Sequence, residues 1–201
     1  MLRFLCGAGR PYAVTGPLFQ LLVRKTGSTD AAVEAISDVA FRLGDLRASS
    51  TDEQFAALAL CAWGEEIEKV SRNLTWRDFE RFCSGVLEAR GYRVRQNVIL
   101  RKPRAQIDVF GLSNGISLAV DCKHWSRPPG YAGLAKQVGA QKARAKRLRD
   151  SLDEIGPIAI VILVLVESGA RFVDGGAVVP VFALGDFLDN VDALRGELDL
   201  V

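Results

Sequence analysis

Residues 106–123 limit the possible fold of this chain more than any other segment, because they read as two β-strands joined by a marked turn. The turn is marked by Asn114-Gly115, a dipeptide typical of a type I′ turn, in which both central residues need a positive φ. If these are the two loop residues, Ser113 pairs with Ile116, and the numbers of cross-strand partners add up to 229. The spacing therefore predicts a hairpin with a defined register.

This register brings three chemically active side chains onto one face of the hairpin. Asp108 lies opposite Asp121, and Lys123 shares the face of Asp121 because side chains alternate along a strand. Two acids side by side in a sheet repel each other, and a fold tolerates them mainly where a cation lies between them. Carboxylate oxygens suit Mg²⁺, and a neighbouring lysine can donate to a phosphoryl oxygen or to an attacking water. The hairpin therefore predicts a site for Mg²⁺ or Mn²⁺ with a lysine beside it.

The charges are distributed very unevenly along the chain. Between Arg90 and Arg149 there are 14 Lys or Arg residues and only two acids, which are Asp108 and Asp121. The rest of the chain has 12 basic and 22 acidic residues, so the small net charge of +2 hides a strongly basic block. A basic block around two acids is typical of a protein that binds phosphates at a metal site.

The composition is that of an ordinary globular protein. Of 201 residues, 49% are apolar and 25% are charged, which predicts a substantial core and argues against disorder. The longest apolar run, Ile158 to Val166, is about half as long as a membrane span, so we expect no membrane partner. The N-terminus lacks the apolar stretch of a signal peptide, and the four scattered cysteines favour reduced thiols. We therefore expect a cytoplasmic protein.

Residues 1–72 read as a helical N-terminal extension. Apolar periodicity predicts helices over about Leu18–Val23, Ala31–Leu46 and Ser50–Val70, of which the second is capped by residues 28–30. No cluster in this region indicates chemistry. We expect the extension to pack on the main domain or on a second subunit.

Residues 73–201 read as an α/β domain. A capping box at Thr75–Asp78 begins a helix that ends before Gly91. The apolar stripe of this helix consists of Trp76, Phe79, Cys83, Val86 and Leu87. The elements that follow are strands at about Arg93–Leu100, Ala105–Leu112 and Ile116–Lys123, a loop with Pro128, a basic helix at Tyr131–Leu152, strands at Pro157–Val166 and Val178–Ala183, and a helix at Asp186–Leu194. This order predicts a mixed central sheet with helices on both faces.

Three segments of this domain resemble the PD-(D/E)xK nuclease superfamily, in particular the Mrr-like restriction endonucleases and the archaeal Holliday-junction resolvases. The segments are residues 76–80, Ile107-Asp108 and Asp121-Cys122-Lys123, and the resemblance covers about residues 74–187. It implies a restriction-endonuclease-like core and metal-dependent cleavage of DNA. It also implies that Asp108, Asp121 and the Cys122 backbone carbonyl bind the metal, and that Glu80 holds it directly or through a water. Lys123 would orient or activate the attacking water, and Gln137 on the basic helix would lie near the metal.

The basic helix predicts contacts with phosphates. Its six cations, with no acid among them, are Lys136, Lys142, Arg144, Lys146, Arg147 and Arg149. Gln137 and Gln141 lie one turn apart beside its apolar stripe of Leu134, Val138, Ala145 and Leu148. On the strand before this helix, His124 faces away from Lys123, which favours a structural role, and we expect Trp125 to pack in the core or a loop.

Three functions are compatible with this sequence. The first is a metal-dependent DNA endonuclease of the restriction or repair type, acting alone or as a homodimer. The second is a catalytically inactive nucleic-acid-binding protein with a nuclease-like fold. The third is a subunit of a defence or repair complex whose N-terminal helices bind a partner. A simple surface ion pair between Asp108 and Lys123 is a further alternative, but it leaves their shared face with Asp121 unexplained.

Overall fold

A computed structural model of the protein describes residues 16–42, 52–125, 129–152, 155–165 and 171–201. Its helices and strands, in chain order, are α1 (Pro17–Thr26), α2 (Thr29–Arg42), α3 (Asp52–Ala62), α4 (Ile67–Ser71), α5 (Trp76–Glu88), β1 (Arg93–Arg101), β2 (Arg104–Leu112), β3 (Ser117–Lys123), α6 (Tyr131–Arg149), β4 (Ile158–Val164), β5 (Arg171–Val173), β6 (Gly176–Pro180) and α7 (Leu184–Asn190). Short 3₁₀ helices lie at Val181–Ala183 and Ala193–Glu197.

The strands form one six-stranded mixed sheet in the order β1-β2-β3-β4-β6-β5. β1, β2 and β3 are antiparallel neighbours, whereas β4 runs parallel to both β3 and β6. Parallel neighbours need a crossover connection, and α6 provides it between β3 and β4. The predicted α/β class, a mixed sheet flanked by helices with a helical N-terminal region, is confirmed.

The sheet separates two apolar layers. On one face, α6 packs its stripe of Leu134, Val138, Ala145 and Leu148 against the even-numbered residues of β4. On the other face, α5 and α7 pack with α1 and α3 against the odd-numbered residues of β4. Every residue of β4 is buried, as expected for a central parallel strand covered on both faces. Side chains at the ends of β2 and β3 therefore lie between α5 and α6.

The N-terminal helices differ in detail from the prediction. The helix expected over Ser50–Val70 is two helices, because α3 ends at Ala62 and Gly64 then has a φ of +78°. Leu60 of α3 and Phe82 of α5 belong to one continuous core. The expected helix boundaries at residues 46 and 50, the loop at residue 128 and the strand end at residue 166 lie outside the described residues. None of the helices in the described ranges is long and apolar enough to cross a membrane.

The C-terminal part contains one strand that the sequence did not predict. β5 has only three residues and joins β6 through Asp174-Gly175, where φ is +46° and +74°. A two-residue loop with positive φ at both positions suits a tight hairpin. β6 and α7 also begin two residues earlier than expected, and β6 ends at Pro180, where a 3₁₀ turn leads into α7.

Candidate active site

The register of the β2–β3 hairpin is as predicted, but its turn is not. The pairs Val109–Val120, Phe110–Ala119 and Gly111–Leu118 all add up to 229. However, neither Asn114 nor Gly115 has a positive φ, so the expected type I′ turn is wrong. Hydroxyl groups close a longer loop instead: Ser113 Oγ accepts from the Gly115 N–H at 3.0 Å, and the Ser113 N–H donates to Ser117 Oγ at 3.3 Å.

The β2–β3 ladder stops just before the two aspartates. The last paired residues are Val109 and Val120, so Asp108 and Asp121 flank the point where the strands separate. The Cys122 N–H then donates to Asp108 Oδ2 at 3.0 Å. A side-chain carboxylate thus satisfies a strand N–H, and this bond fixes Asp108 beside β3.

The β1–β2 ribbon changes faces at the position of Asp108. Val109 packs in the α5 layer while Ile107 packs in the α6 layer, although residues two apart normally share a face. The neighbour of Asp108 across the ribbon is Asn97, whose φ is +51°. Asn is one of the few residues other than glycine that tolerate this conformation. Gln106 Nε2 donates to Asn97 Oδ1 at 2.8 Å and lies 3.5 Å from Asp108 Oδ1.

Helix α5 places Glu80 against the same site. The predicted capping box is present, since Thr75 Oγ1 accepts from the Asp78 N–H and the Asp78 carboxylate accepts from the Thr75 N–H. Glu80 is only 5% exposed, so it lies in the packed interior rather than in solvent. The expectation that Trp76 belongs to the apolar stripe is wrong: its ring is 54% exposed and lies 5.4 Å from the Arg77 guanidinium carbon.

Burial and neighbouring carboxylates raise the pKa of Glu80 and of Asp108. Burial, followed by the charges of Asp108 and Asp121, raises the pKa of Glu80 from 4.5 to about 7. Burial, followed by the charge of Asp121, raises the pKa of Asp108 from 3.8 to about 6, while the Cys122 N–H and Lys123 oppose the shift. Closely spaced acids of which two have a raised pKa form a site where a bound cation would be favoured.

Asp121 is the most buried carboxylate of the site, with 2% exposure. Lys123 Nζ lies 3.0 Å from its Oδ2, and Arg144 Nη1 lies 3.9 Å from its Oδ1. Oδ2 nevertheless has no aligned hydrogen-bond donor, so we interpret the lysine contact as an ion pair without a directed hydrogen bond. A buried carboxylate oxygen without such a partner has a lone pair to offer to a metal.

On helix α6 it is Gln141, rather than Gln137, that contacts a residue beside Asp121. Gln141 is fully buried, and its Oε1 accepts from Arg144 Nη1 at 3.0 Å, so it holds the arginine beside Asp121. The Gln141 Nε2 group is buried without a partner. Among the described contacts, none joins Gln137 to the carboxylates, and its expected role stays a prediction. The signal for Gln141 was present in the sequence, because it lies within the apolar stripe at i+3 from Val138.

The six cations of α6 lie on two flanks of the helix. On the site side, Arg144 reaches Asp121 and Arg147 donates to the Pro103 carbonyl at 2.6 Å. Lys136 lies on this flank as well, three turns before Arg147. On the opposite flank, Lys142 binds Asp199 at 2.6 Å and the Asp174 carbonyl at 3.1 Å. Lys146 and Arg149 follow Lys142 on this second flank, away from the carboxylates.

The expectations for His124 and Trp125 agree with the structure. The His124 ring packs edge-on against Phe79 of α5, with centroids 5.9 Å apart. Trp125 is partly buried against the α6 layer. Cys61, Cys83 and Cys122 are free thiols, and Cys83 is buried.

The site has few protein ligands for a metal. Across the described ranges, no group of three or more His, Cys, Asp or Glu side chains is arranged to hold an ion. Asp108, Asp121 and the Cys122 carbonyl remain as candidate donors at the end of one hairpin, with Glu80 on the facing helix. Mg²⁺ is usually held by one or two carboxylates together with waters and substrate phosphate, so this donor set suits it.

A comparison with protein families now identifies the segment that carries this site. Residues 71–148 match the Mrr_cat family model, which describes a restriction endonuclease. This segment is similar to the Mrr_cat family, which is part of the PD-(D/E)xK nuclease superfamily. No curated protein and no solved structure gives a significant match.

The Mrr_cat segment begins before α5 and ends near the last turn of α6, so it contains every site residue described above. The family indicates a nuclease of the restriction-endonuclease type. Its boundaries also enclose most of the basic block, including both flanks of α6.

Proposed function

We propose that this protein is a metal-dependent endonuclease that hydrolyses phosphodiester bonds of DNA. The observation that carries the proposal is the convergence of Glu80, Asp108 and Asp121 at the point where β2 and β3 separate, with Lys123 Nζ 3.0 Å from Asp121. Like charges at this density destabilise a fold unless a cation or protons neutralise them. The same residues lie inside the segment that matches a restriction endonuclease family.

Asp108 and Asp121 would hold the metal, with the Cys122 carbonyl as a third donor. The Oδ2 of Asp121 supports this assignment, because it is a buried acceptor whose close cation, Lys123, makes no directed hydrogen bond to it. When bound, a Mg²⁺ or Mn²⁺ ion polarises the scissile phosphate and lowers the pKa of a coordinated water. Glu80 would add a carboxylate from the opposite side of the site.

The residues of the chain around the metal would position the substrate and stabilise charge. Lys123 is partly exposed, so its ammonium can donate to a phosphoryl oxygen as negative charge develops there. Arg144, held by Gln141, places a second cation beside Asp121. The Cys122 N–H keeps Asp108 oriented through its 3.0 Å bond. Gln137 stays a proposed neighbour of the metal.

We propose that residues 73–201 form the nuclease domain and that residues 1–72 form an extension that supports it. The support would act through α5, because Leu60 of α3 and Phe82 of α5 share a core. Glu80 lies on α5 two residues before Phe82, so the packing of the extension would help to hold Glu80 in the site.

The cations of α6 would bind the DNA backbone with different strengths. Lys136, Arg144 and Arg147 lie on the flank beside the carboxylates and are the favoured contacts. Lys142 is engaged with Asp199, so its contribution would require that ion pair to open. Lys146 and Arg149 are exposed and would add to the general attraction for phosphates.

A cleavage assay tests this function. Purified protein is incubated with supercoiled plasmid, linear duplex, branched junctions and single strands, with Mg²⁺, Mn²⁺ or chelator. We expect metal-dependent cleavage that Asp121→Asn abolishes and that Asp186→Asn, an exposed acid outside the site, leaves intact. Mg²⁺ should also raise the melting temperature of the wild type and not of Asp121→Asn. Wild-type cleavage by Asp121→Asn would contradict the assignment.

A nucleic-acid-binding protein without turnover is the second candidate. The observation that favours it is the presence of two cations, Lys123 and Arg144, beside Asp121, since they already neutralise much of its charge. For such a protein, Mg²⁺ would leave both the melting temperature and the DNA unchanged. The same assay therefore separates the two candidates.

A further inference from the structure

The β1–β2 hairpin carries a second concentration of positive charge, distinct from that of α6. Five exposed cations lie on it: Arg93, Arg95, Arg101, Lys102 and Arg104. Among the described residues, no ion pair or side-chain hydrogen bond engages any of the five. Some other exposed cations of the chain are paired, such as Lys25 with Glu65 and Arg90 with Asp189. Asp108 is the only acid within the two strands.

The tip of this hairpin places like charges directly opposite each other. Arg101 is the cross-strand partner of Arg104, and Lys102 lies in the turn between them. Like charges at paired positions destabilise a sheet, because the side chains are held close together on one face. The arrangement becomes favourable when an anion binds to it.

The tip is fixed in position relative to the active site. Arg147 on the site-side flank of α6 donates to the Pro103 carbonyl at 2.6 Å, which ties the turn to the helix. Arg104 is four residues before Asp108 on β2, a distance of about 13 Å along a strand. This is comparable to the width of the major groove of B-DNA, which is about 12 Å.

We propose that the tip of the β1–β2 hairpin binds the phosphate backbone of duplex DNA. The contact would lie across one groove from the phosphodiester bond that is cleaved at Asp108 and Asp121. The inference rests on the proposed function, whose active site it extends. Duplex is favoured over single strands because proteins that bind single strands stack bases on aromatic side chains. The only aromatic residue of β1 and β2 is Phe110, and it is buried in the core.

A salt series on binding tests this contact without requiring cleavage. A labelled short duplex of mixed sequence is titrated in chelator, and anisotropy gives the affinity at several salt concentrations. Arg101→Ala/Arg104→Ala should weaken binding on all sequences and make the slope of log affinity against log salt shallower by about 1.8, at 0.9 per phosphate. The matched control, Arg24→Ala/Arg195→Ala, removes two exposed cations outside the block and should leave the slope unchanged.

Further variants and outcomes make the test decisive. Arg101→Lys/Arg104→Lys keeps both charges and should retain the wild-type slope. The alanine variant should melt at the same temperature or higher, because it loses a like-charge pair. The proposal would be overturned if the alanine variant kept the wild-type salt slope, or if its loss of affinity were confined to single strands. Metal-dependent cleavage by the wild type would in that case still support the proposed function. If the wild type binds no duplex, the hairpin contact is wrong, and the cleavage assay alone then decides the proposed function.

Discussion

Replacing Glu80 by Gln should stabilise the metal-free protein at alkaline pH. Glu80 is 5% exposed and faces two other carboxylates, and its pKa is raised from 4.5 to about 7. Its pKa in the folded protein is therefore above its pKa in the unfolded protein. At pH values between these two, the folded protein binds more protons than the unfolded protein. Stability should fall as pH rises through the window from 4.5 to about 7, and ionised Glu80 is one cause. Gln has nearly the same shape and no charge, so it removes this destabilisation.

The size of the effect follows from the pKa. One unit of pKa corresponds to about 1.4 kcal/mol, so the full shift of Glu80 corresponds to roughly 3 kcal/mol. Solvent screening at the open side of the site and the burial of a neutral amide both reduce the net gain. We therefore expect Glu80→Gln to raise the free energy of unfolding by about 1–2 kcal/mol near pH 8, and by close to zero near pH 4.

Urea denaturation in chelator at these two pH values measures the difference. Glu197→Gln, at an exposed position outside the site, serves as the control and should change the unfolding free energy by less than about 0.5 kcal/mol. Mg²⁺ should reverse the order of wild type and Glu80→Gln if Glu80 contributes to metal binding. A Glu80→Gln protein that is less stable near pH 8, or equally stabilised near pH 4, would refute the electrostatic reasoning.

Two further predictions separate catalysis from folding. Lys123→Ala should lose cleavage and retain the rise in melting temperature caused by Mg²⁺, because lysine is no ligand for this ion; joint loss of both would indicate a purely structural ion pair. Gly111→Ala should destabilise the protein by about 1–3 kcal/mol, because its Cβ would lie 2.5 Å from Leu87 Cδ2. A Cβ at Gly139 on α6 would lie in open space, so Gly139→Ala should instead stabilise the protein by about 0.5–1 kcal/mol in the same urea assay. Equal changes in the unfolding free energy of the two variants would contradict the packing argument.

The sequence by itself determined the parts of this protein that depend on local patterns. The capping box at Thr75 and the buried strand β4 follow from side-chain chemistry and periodicity within a few residues. The 229 register of β2 with β3 is correct although the turn from which it was predicted is wrong, because the alternation of apolar side chains also specifies it. A slip of one residue would turn the apolar side chains of a strand to the wrong face, so the register is strongly specified. Asp108, Asp121 and Lys123 were found in this way, whereas Glu80 was added by the family resemblance.

The tertiary structure alone decided how these residues are held. The β1–β2 ribbon changes faces opposite Asn97, the Cys122 N–H binds Asp108, and Gln141 holds Arg144 beside Asp121. Lys142, which reads in the sequence as a phosphate contact, is paired with Asp199 from the C-terminal segment. Apart from the Gln141–Arg144 bond within α6, these contacts join residues on different elements. They form because a buried polar group is stabilised by a partner that the packed elements bring close. Local periodicity contains no information about which distant groups packing will bring together.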